Sequence, residues 1–375
     1  MIPVCKPWLP GKEKEYVNNA IDTNWISSAG EYITKFEEEF AKFCGVKYGV
    51  SCSNGLGALH LACAALDLKE GDEVIVPTFT MAASINAIIF TGTKPVLVDC
   101  DKETYCIDVK KIEEKITKRT KAIMPVHIYG HPCDMDPILE FAKKYNLYVI
   151  EDAAEAHGAE YKGKKCGSMS NIGCFSFYAN KILTTGEGGM SVTNNLELAE
   201  RMKRLRNHAF DVPRFIHKEV GFNYRLTNLQ AAIGFAQTEN ADMLVKARRN
   251  VGTRYNKLLK GTKGLILPVE KSYAKNVYWM YGVVLSDDIK LTKEEVMQKL
   301  KEKGIDTRSF FIPMHRQPAY VNKTVRNAPD CSGKFPVADW LSERGFYLPS
   351  SSNLTDDEIL VVCNTLKEII SSSFD

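Results

Sequence analysis

The stretch Cys174–Met190, CFSFYANKILTTGEGGM, sets Lys181 among aromatic, small and glycine residues. An ammonium group in such surroundings loses hydration, and its charged form is disfavoured. A lysine amine that is neutral part of the time can attack a carbonyl and can act as a base. Two further stretches carry chemistry of a matching kind. YVIED ends in Glu151 and Asp152, where a strand gives way to solvent, and DAAEAHG continues in small residues that let a ligand approach the backbone. SCSNGLGALHLACAAL places Ser53, Asn54 and Gly55 just ahead of a helix. Unpaired N–H groups and the dipole at a helix start bind phosphate, and glycine there allows close approach.

The elements that must position these groups follow from the apolar pattern. Strand-length apolar runs alternate with segments of helical period: DEVIVP then a helix from about Met81, KPVLVD then DVKKIEEKI, KAIMPVHIYG then DMDPILEFAKKY, LYVIED, CFSFY and GMSVTN. Strands apolar throughout and joined by helices indicate an α/β fold with a mainly parallel sheet covered on both faces. Ligands of such sheets bind beyond the carboxyl ends of the strands, which is where Asp152 falls. NLELAERMKRLRNH reads as a helix, and a long helical pattern runs from about Thr227 to Leu259. From about Gly261 the rhythm changes: NVYWMYGVVL as a strand, TKEEVMQKLKEKG as a helix closed by Gly304, and TDDEILVVCNTLKEII as a final helix. The expected division is a large domain over residues 1–245 and a smaller C-terminal α/β domain over residues 246–375.

A phosphate cradle, an acid at a strand end and a lysine in an apolar, glycine-lined setting are together the parts that pyridoxal phosphate requires. The lysine forms a Schiff base with the aldehyde, and the acid keeps the pyridine nitrogen protonated so that the ring draws electrons. Each part also has a plainer reading. Lys181 can be a surface lysine with a buried stem, Asp152 and Asn54 can be caps, and GEGG can be a tight turn. His127, His131 and Cys133 in HIYGHPC have a spacing that suits a metal, but no fourth ligand is apparent and the expectation is no metal. The basic run ERMKRLRNH reads as a solvated helix face.

Composition narrows the classes. The chain has 375 residues, 45% hydrophobic and 25% charged, with a net charge of +3 and no basic patch, so neither nucleic acid nor membrane is an expected partner. The N-terminal residues lack a continuous apolar run and no 18-residue apolar stretch occurs, which gives a cytoplasmic expectation. Eleven cysteines without framework spacing fit reduced, buried thiols.

Seven ordered blocks resemble the DegT/DnrJ/EryC1/StrS family of nucleotide-sugar aminotransferases almost end to end. They are NWISSAGEYITKFEEEFAKFCGVKYGVSCSNG, GDEVIVPTFT, PVHIYGHPCDMDPI, IEDAAEAHGAEYKGKKCGS, SFYANKILTTGEGGM, GFNYRLTNLQAAIG and FFIPMHRQPAY. The resemblance implies the fold of type I pyridoxal 5'-phosphate enzymes. It implies transfer of the amino group of L-glutamate to C4 of a nucleotide-linked 4-keto-6-deoxy sugar. Within the family the likeness is greatest to members acting on GDP-4-keto-6-deoxy-D-mannose to form GDP-perosamine, a deoxyamino sugar of O-antigen lipopolysaccharide. A UDP- or dTDP-4-keto-6-deoxy-glucose is the alternative substrate. The match makes Lys181 the Schiff-base lysine, Asp152 the partner of the ring nitrogen and Glu155 a polar neighbour of the phenolic oxygen. It gives the phosphate to Ser176 with the amides of Gly55 and Leu56, and to Asn223 from the other subunit of a homodimer that shares its active sites. His315 falls near the nucleotide-sugar pocket. This chain departs from many relatives in having Leu56 for a threonine and Met81 where an aromatic ring stacks on the cofactor; a thioether also packs on rings. Two other classes remain open: a sugar 3-dehydratase, which in the relatives concerned has histidine for the lysine, and a silent sugar-binding regulator, whose mark would be a missing lysine or acid.

Overall fold

The computed structural model describes residues 1–372 and 374. A seven-stranded sheet forms from β1 (Tyr48–Cys52), β2 (Glu73–Pro77), β3 (Lys94–Val98), β4 (Thr120–Ile123), β5 (Tyr148–Asp152), β6 (Ile172–Ser176) and β7 (Gly189–Thr193). Its spatial order is β1-β7-β6-β5-β4-β2-β3. β3, β2, β4, β5 and β6 pair in parallel, and β7 runs antiparallel to both β6 and β1. β2, β6 and β7 are buried at every residue, as strands covered on both faces must be. Register aligns the strand ends: Asp152 sits beside Cys174, and Ser176 beside Gly189.

The helices that cover the sheet begin where caps place them. Asn54 accepts the Gly57 amide at 2.8 Å and starts the helix Gly55–Ala65, which packs on β6 and β7. Asn195 does the same for Leu196–Leu205, and a Thr227–Gln230 capping box starts Asn228–Glu239.

Four expected elements differ. KAIMPVHIYG is a strand only to Ile123 and ends in a 3-10 turn, Ile128–Gly130, with Tyr129 left-handed. DVKKIEEKI gives only two short 3-10 turns, Val109–Lys111 and Glu113–Lys115. A segment this short cannot sustain a helix alone, and Lys111 is drawn to the buried Asp99 at 3.2 Å. The long helix divides at Asn240, whose φ of −107° leaves the helical range and whose Nδ2 turns back to the Ala236 carbonyl at 3.0 Å. NVYWMYGVVL becomes a strand only from Tyr281. Before it, Tyr278 is left-handed (φ 50°) and the Asn276 side chain accepts the Tyr278 amide, a detour that points Trp279 away from the sheet.

The C-terminal part carries a second, antiparallel sheet in the order Leu265–Ile266, Tyr281–Leu285, Gly345–Leu348, Arg308–Ser309. A separate core joins it to the helices Ala241–Leu259, Lys293–Glu302 and Asp356–Ser371 around Tyr255, Tyr281, Phe346 and Val362. The eleven cysteines are free thiols. Among the described residues no helix is long and apolar enough to cross a membrane.

Candidate active site

The segments that leave the carboxyl ends of β1, β2, β4, β5 and β6 converge on a cavity of about 560 Å³. β1 delivers Ser53–Leu56, β2 delivers Thr80 and Met81, β4 leads to Val126, β5 ends in Asp152 and runs on to Glu155, and β6 ends in Ser176 and leads to Lys181. The C-terminal part closes the cavity with Trp279, Phe311 and Tyr347. Residues far apart in sequence meet here because parallel strands bring their ends to one edge.

Lys181 is placed by a tight turn after β6, in which its amide donates to the Tyr178 carbonyl at 2.9 Å. Its side chain is only 10% exposed, with Nζ 3.9 Å from Glu155 Oε1 and 3.6 Å from the centre of the Trp279 ring. Burial pulls the amine below its ordinary pKa, while the carboxylates of Glu155 and Asp152 push the other way. Glu155 accepts the Tyr129 amide at Oε2 (2.7 Å), and burial lifts its carboxyl to about 7, opposed by Lys181. Asp152 accepts the Ser84 hydroxyl at 2.7 Å and the Ala154 amide at 3.2 Å. No basic side chain among the described residues lies within ion-pair distance of it, and burial raises its carboxyl above the usual range.

At the other wall, glycine is required at position 55. A Cβ there would lie 2.8 Å from Ser176 Cβ, so only glycine lets the helix start and the Ser176 hydroxyl face the same space. Asn54 satisfies the Gly57 amide, and the amides of Gly55 and Leu56 have no intrahelical acceptor. Two free N–H groups, a hydroxyl and a helix dipole together suit a phosphate.

Seven of the expected site residues, Lys181, Asp152, Glu155, Ser176, Gly55, Leu56 and Met81, line this one cavity. Met81 is half-exposed, and its Sδ takes the Ala83 amide at 3.1 Å. Asn223 and His315 are not in the lining. Asn223 is exposed on a segment bridged to Asn207. His315 stacks on Phe335 at 4.4 Å, with Nδ1 2.9 Å from Thr78 Oγ1 and Nε2 3.1 Å from Asp339. Sequence reading missed Ser84, Tyr129 and Trp279. Ser84 carried a signal, since it lies one turn into the helix that follows β2; Tyr129 acts through its backbone and Trp279 through an irregular detour, and neither shows in a pattern.

The metal-like spacing of His127, His131 and Cys133 does not form a cluster. His131 Nδ1 donates to the Pro132 carbonyl at 2.7 Å, and the Cys133 thiol donates to the Val126 carbonyl. His127 lies instead beside Glu151 and Cys166. Its Nδ1 takes the Cys133 amide and its Nε2 donates to Glu151 at 3.0 Å, so both nitrogens are used, and Glu151 also accepts the Gly167 and Met169 amides. This buried network braces β5 on the face opposite Asp152.

The sequence profile of the DegT/DnrJ/EryC1/StrS aminotransferase family matches residues 9–367. The chain belongs to that family. The aminotransferase is 46% identical over 374 residues to the GDP-perosamine synthase of Escherichia coli O157:H7, covering 99% of each chain. It is also 46% identical to the GDP-perosamine synthase of Caulobacter vibrioides, covering 98% of each. The crystal structure of S. venezuelae DesV in complex with a ketimine intermediate superposes with a TM-score of 0.89 at 34% identity, covering 96% of this chain and 94% of that one. The aminotransferase from Psychrobacter cryohalolentis gives 0.92 at 31% identity, covering 99% of both.

Proposed function

We propose that this aminotransferase holds pyridoxal 5'-phosphate in the cavity and moves the amino group of L-glutamate to C4 of GDP-4-keto-6-deoxy-D-mannose, giving GDP-perosamine. The observation that carries the reading is the pairing of Lys181 with a buried Asp152 that lacks a cation, across from an open helix start. A protonated ring nitrogen is the partner the Asp152 carboxylate lacks, and phosphate is the anion that the Gly55 and Leu56 amides and Ser176 suit. When bound, the cofactor supplies an aldehyde that captures the amino group and a ring that draws electrons from the donor's α-carbon.

The chain's own residues do the rest. Lys181 Nζ would hold the cofactor through its aldehyde and, once freed, would take the proton from the donor's α-carbon, a role that its lowered pKa favours. Asp152, oriented by the Ser84 hydroxyl, keeps the ring nitrogen protonated. Glu155 serves as the polar neighbour of the phenolic oxygen. Trp279, Phe311 and Tyr347 exclude water from the reacting side.

The finer assignments rest on the relatives. The two GDP-perosamine synthases above support the GDP sugar and C4, and the dTDP-3-amino-3,4,6-trideoxy-alpha-D-glucose transaminase of Streptomyces venezuelae, 36% identical over 341 residues, keeps a dTDP sugar as the second reading. The exposed Asn223, outside the cavity of its own chain, supports a homodimer in which it reaches the partner's phosphate. We place the enzyme in the cytoplasm, and its product in the supply of sugars for surface polysaccharide. Val245 in the large core and Val251 in the small one support a division near residues 245 and 246 within the helix Ala241–Leu259, while Trp279, Phe310 and Leu341 of the C-terminal part pack into the large core. The test is to offer GDP-, UDP- and dTDP-linked 4-keto-6-deoxy sugars with L-glutamate and identify the amino sugar by mass and NMR. Amination of the GDP sugar at C4 is expected; preference for another nucleotide, or amination at C3, would overturn the assignment.

A further inference from the structure

Lys181 meets two groups at once when nothing holds its amine. Glu155 Oε1, the oxygen not engaged by the Tyr129 amide, lies 3.9 Å from Nζ, and the face of Trp279 lies 3.6 Å away on another side. Both groups are built on one support. Tyr129 adopts a left-handed φ of 52° so that its amide can donate to Glu155, and Gly130 follows at φ 98°. A Cβ on Gly130 would approach Val277 Cγ2 to 2.8 Å and the Trp279 amide nitrogen to 2.9 Å, so the turn presses directly on the Trp279 segment. Val277 N–H donates to the Gly130 carbonyl at 3.1 Å, locking the two together. Trp279 is fixed at its other end, where Nε1–H donates to the carbonyl of Asn180, the neighbour of Lys181, at 2.9 Å, while the buried Arg248 donates to the Trp279 carbonyl.

We propose that Glu155 and Trp279 form a resting socket for the freed Lys181 amine, in which Nζ and Glu155 Oε1 share one exchangeable proton. In the transfer an N–H bond of the ammonium breaks, its electron pair stays on nitrogen, and an O–H bond forms at Oε1. Ammonium and carboxylate become amine and carboxylic acid, and the net charge of the pair stays at zero. Rotation about the outer lysine torsions closes the 3.9 Å gap to hydrogen-bond length. Burial narrows the gap between the ion pair and the neutral pair, moving the amine down and the Glu155 carboxyl up to about 7. The aromatic face holds the ammonium form in place. Glu155 is thus the group that takes up the proton when Lys181 is released as a base, a capacity that a neutral amide at this position lacks. Trp279 is a positioning residue that acts through the amine. The meaning of a released lysine rests on the transamination reading above, but the proton sharing is a property of the chain and is tested without the cofactor.

The experiment is competitive labelling of the cofactor-free full chain with trace acetic anhydride across pH, with the Lys181 peptide quantified by mass spectrometry. The visible band of the protein as purified, recorded separately, reports on the cofactor reading, so failure of that reading leaves the labelling result intact. In the wild type the Lys181 profile shows two steps, as a coupled pair must. Glu155→Gln keeps an acceptor for the Tyr129 amide but removes the charge and the proton site. It gives a profile displaced to lower pH that loses the step shared with Glu155 and keeps only the weaker influence of Asp152, with about tenfold more neutral amine at a given pH. Trp279→Leu raises the neutral fraction about threefold, and Trp279→Phe, which retains an aromatic face, stays close to wild type. A Glu155→Gln profile that overlays the wild type would overturn the shared proton. Equal shifts in Trp279→Phe and Trp279→Leu would overturn the role of the ring.

Discussion

Replacing Asp152 by asparagine separates the chemical role of this carboxylate from its structural one. Ser84 donates to one oxygen at 2.7 Å, and Ser84 is itself 2.8 Å from the Thr80 hydroxyl, so an asparagine carbonyl keeps the polar chain Thr80–Ser84–152 intact. What disappears is the negative charge and, with the second oxygen, the acceptor of the Ala154 amide at 3.2 Å, in a place buried at 5% exposure, where water cannot substitute for either. Removing one electrostatic contact of this kind from a water-excluded site costs about 3–4 kcal/mol, or about 10²–10³ in kcat. On folding stability the charge acts the other way. With no cation in ion-pair contact, burial outweighs the opposing pull of Lys181 and raises the carboxyl's pKa, so the neutral amide relieves a cost in the cofactor-free protein above neutral pH. Steady-state turnover with L-glutamate and a keto sugar, set beside thermal melting of the cofactor-free chain at pH 8, reads both effects. The expected result is a fall in kcat of at least about 100-fold with Tm close to wild type, the relieved burial of charge offsetting the lost Ala154 bond. Turnover within a few-fold of wild type would refute the ion pair with the ring nitrogen, and a large fall in Tm would show that the charge is structural.

Lys181→Ala is expected to fold normally and to have no turnover, with the circular dichroism of the wild type. Asn223→Ala removes one hydrogen bond to a charged phosphate, worth roughly 1.5–3 kcal/mol, and should weaken cofactor retention without loss of folding, as measured by dialysis. If that bond is made across a C2 dimer, mixing Lys181→Ala and Asn223→Ala chains at equal ratio restores activity up to about a quarter of wild type after random exchange. A monomer by light scattering, or no recovery after verified exchange, places the whole site in one chain. For pH, Glu155 keeps its proton in the folded chain up to about 7, whereas the unfolded chain releases it near 4.5. Between these values the folded state binds more protons, so stability falls as pH rises, by up to about 3 kcal/mol in total. Chemical denaturation of the cofactor-free chain at pH 5 and pH 8 should show that the wild type loses more stability over this interval than Glu155→Gln; equal losses would remove Glu155 as the cause.

Strands β2 to β7 were legible as short, largely buried runs, VIVP and PVLV most plainly; β1, YGVSC, was not, because its glycine, serine and cysteine leave it little apolar pattern. Lys181, Asp152 and the Asn54–Leu56 helix start were legible because each sits at a strand end, where an α/β sheet gathers its ligands. The second half of the site was not. Trp279 reaches the cavity only because Tyr278 turns left-handed and breaks the strand that its own apolar neighbours suggest. Tyr129 contributes an amide rather than a side chain, and that amide points at Glu155 only through a left-handed residue followed by Gly130. Such departures from local preference concentrate where function constrains the backbone. DVKKIEEKI differs for another reason: its periodicity suits a helix, but the segment is too short to sustain one, and it settles into two 3-10 turns with Lys111 paired to the buried Asp99.

The most direct test of the site is chemical. The purified protein is reduced with borohydride in its yellow form, digested, and searched by mass spectrometry for a phosphopyridoxyl group. The account predicts one modified peptide, spanning SFYANKILTTG, with the added mass on Lys181. The same mass on any other lysine, or a yellow protein that yields no adduct, would contradict it.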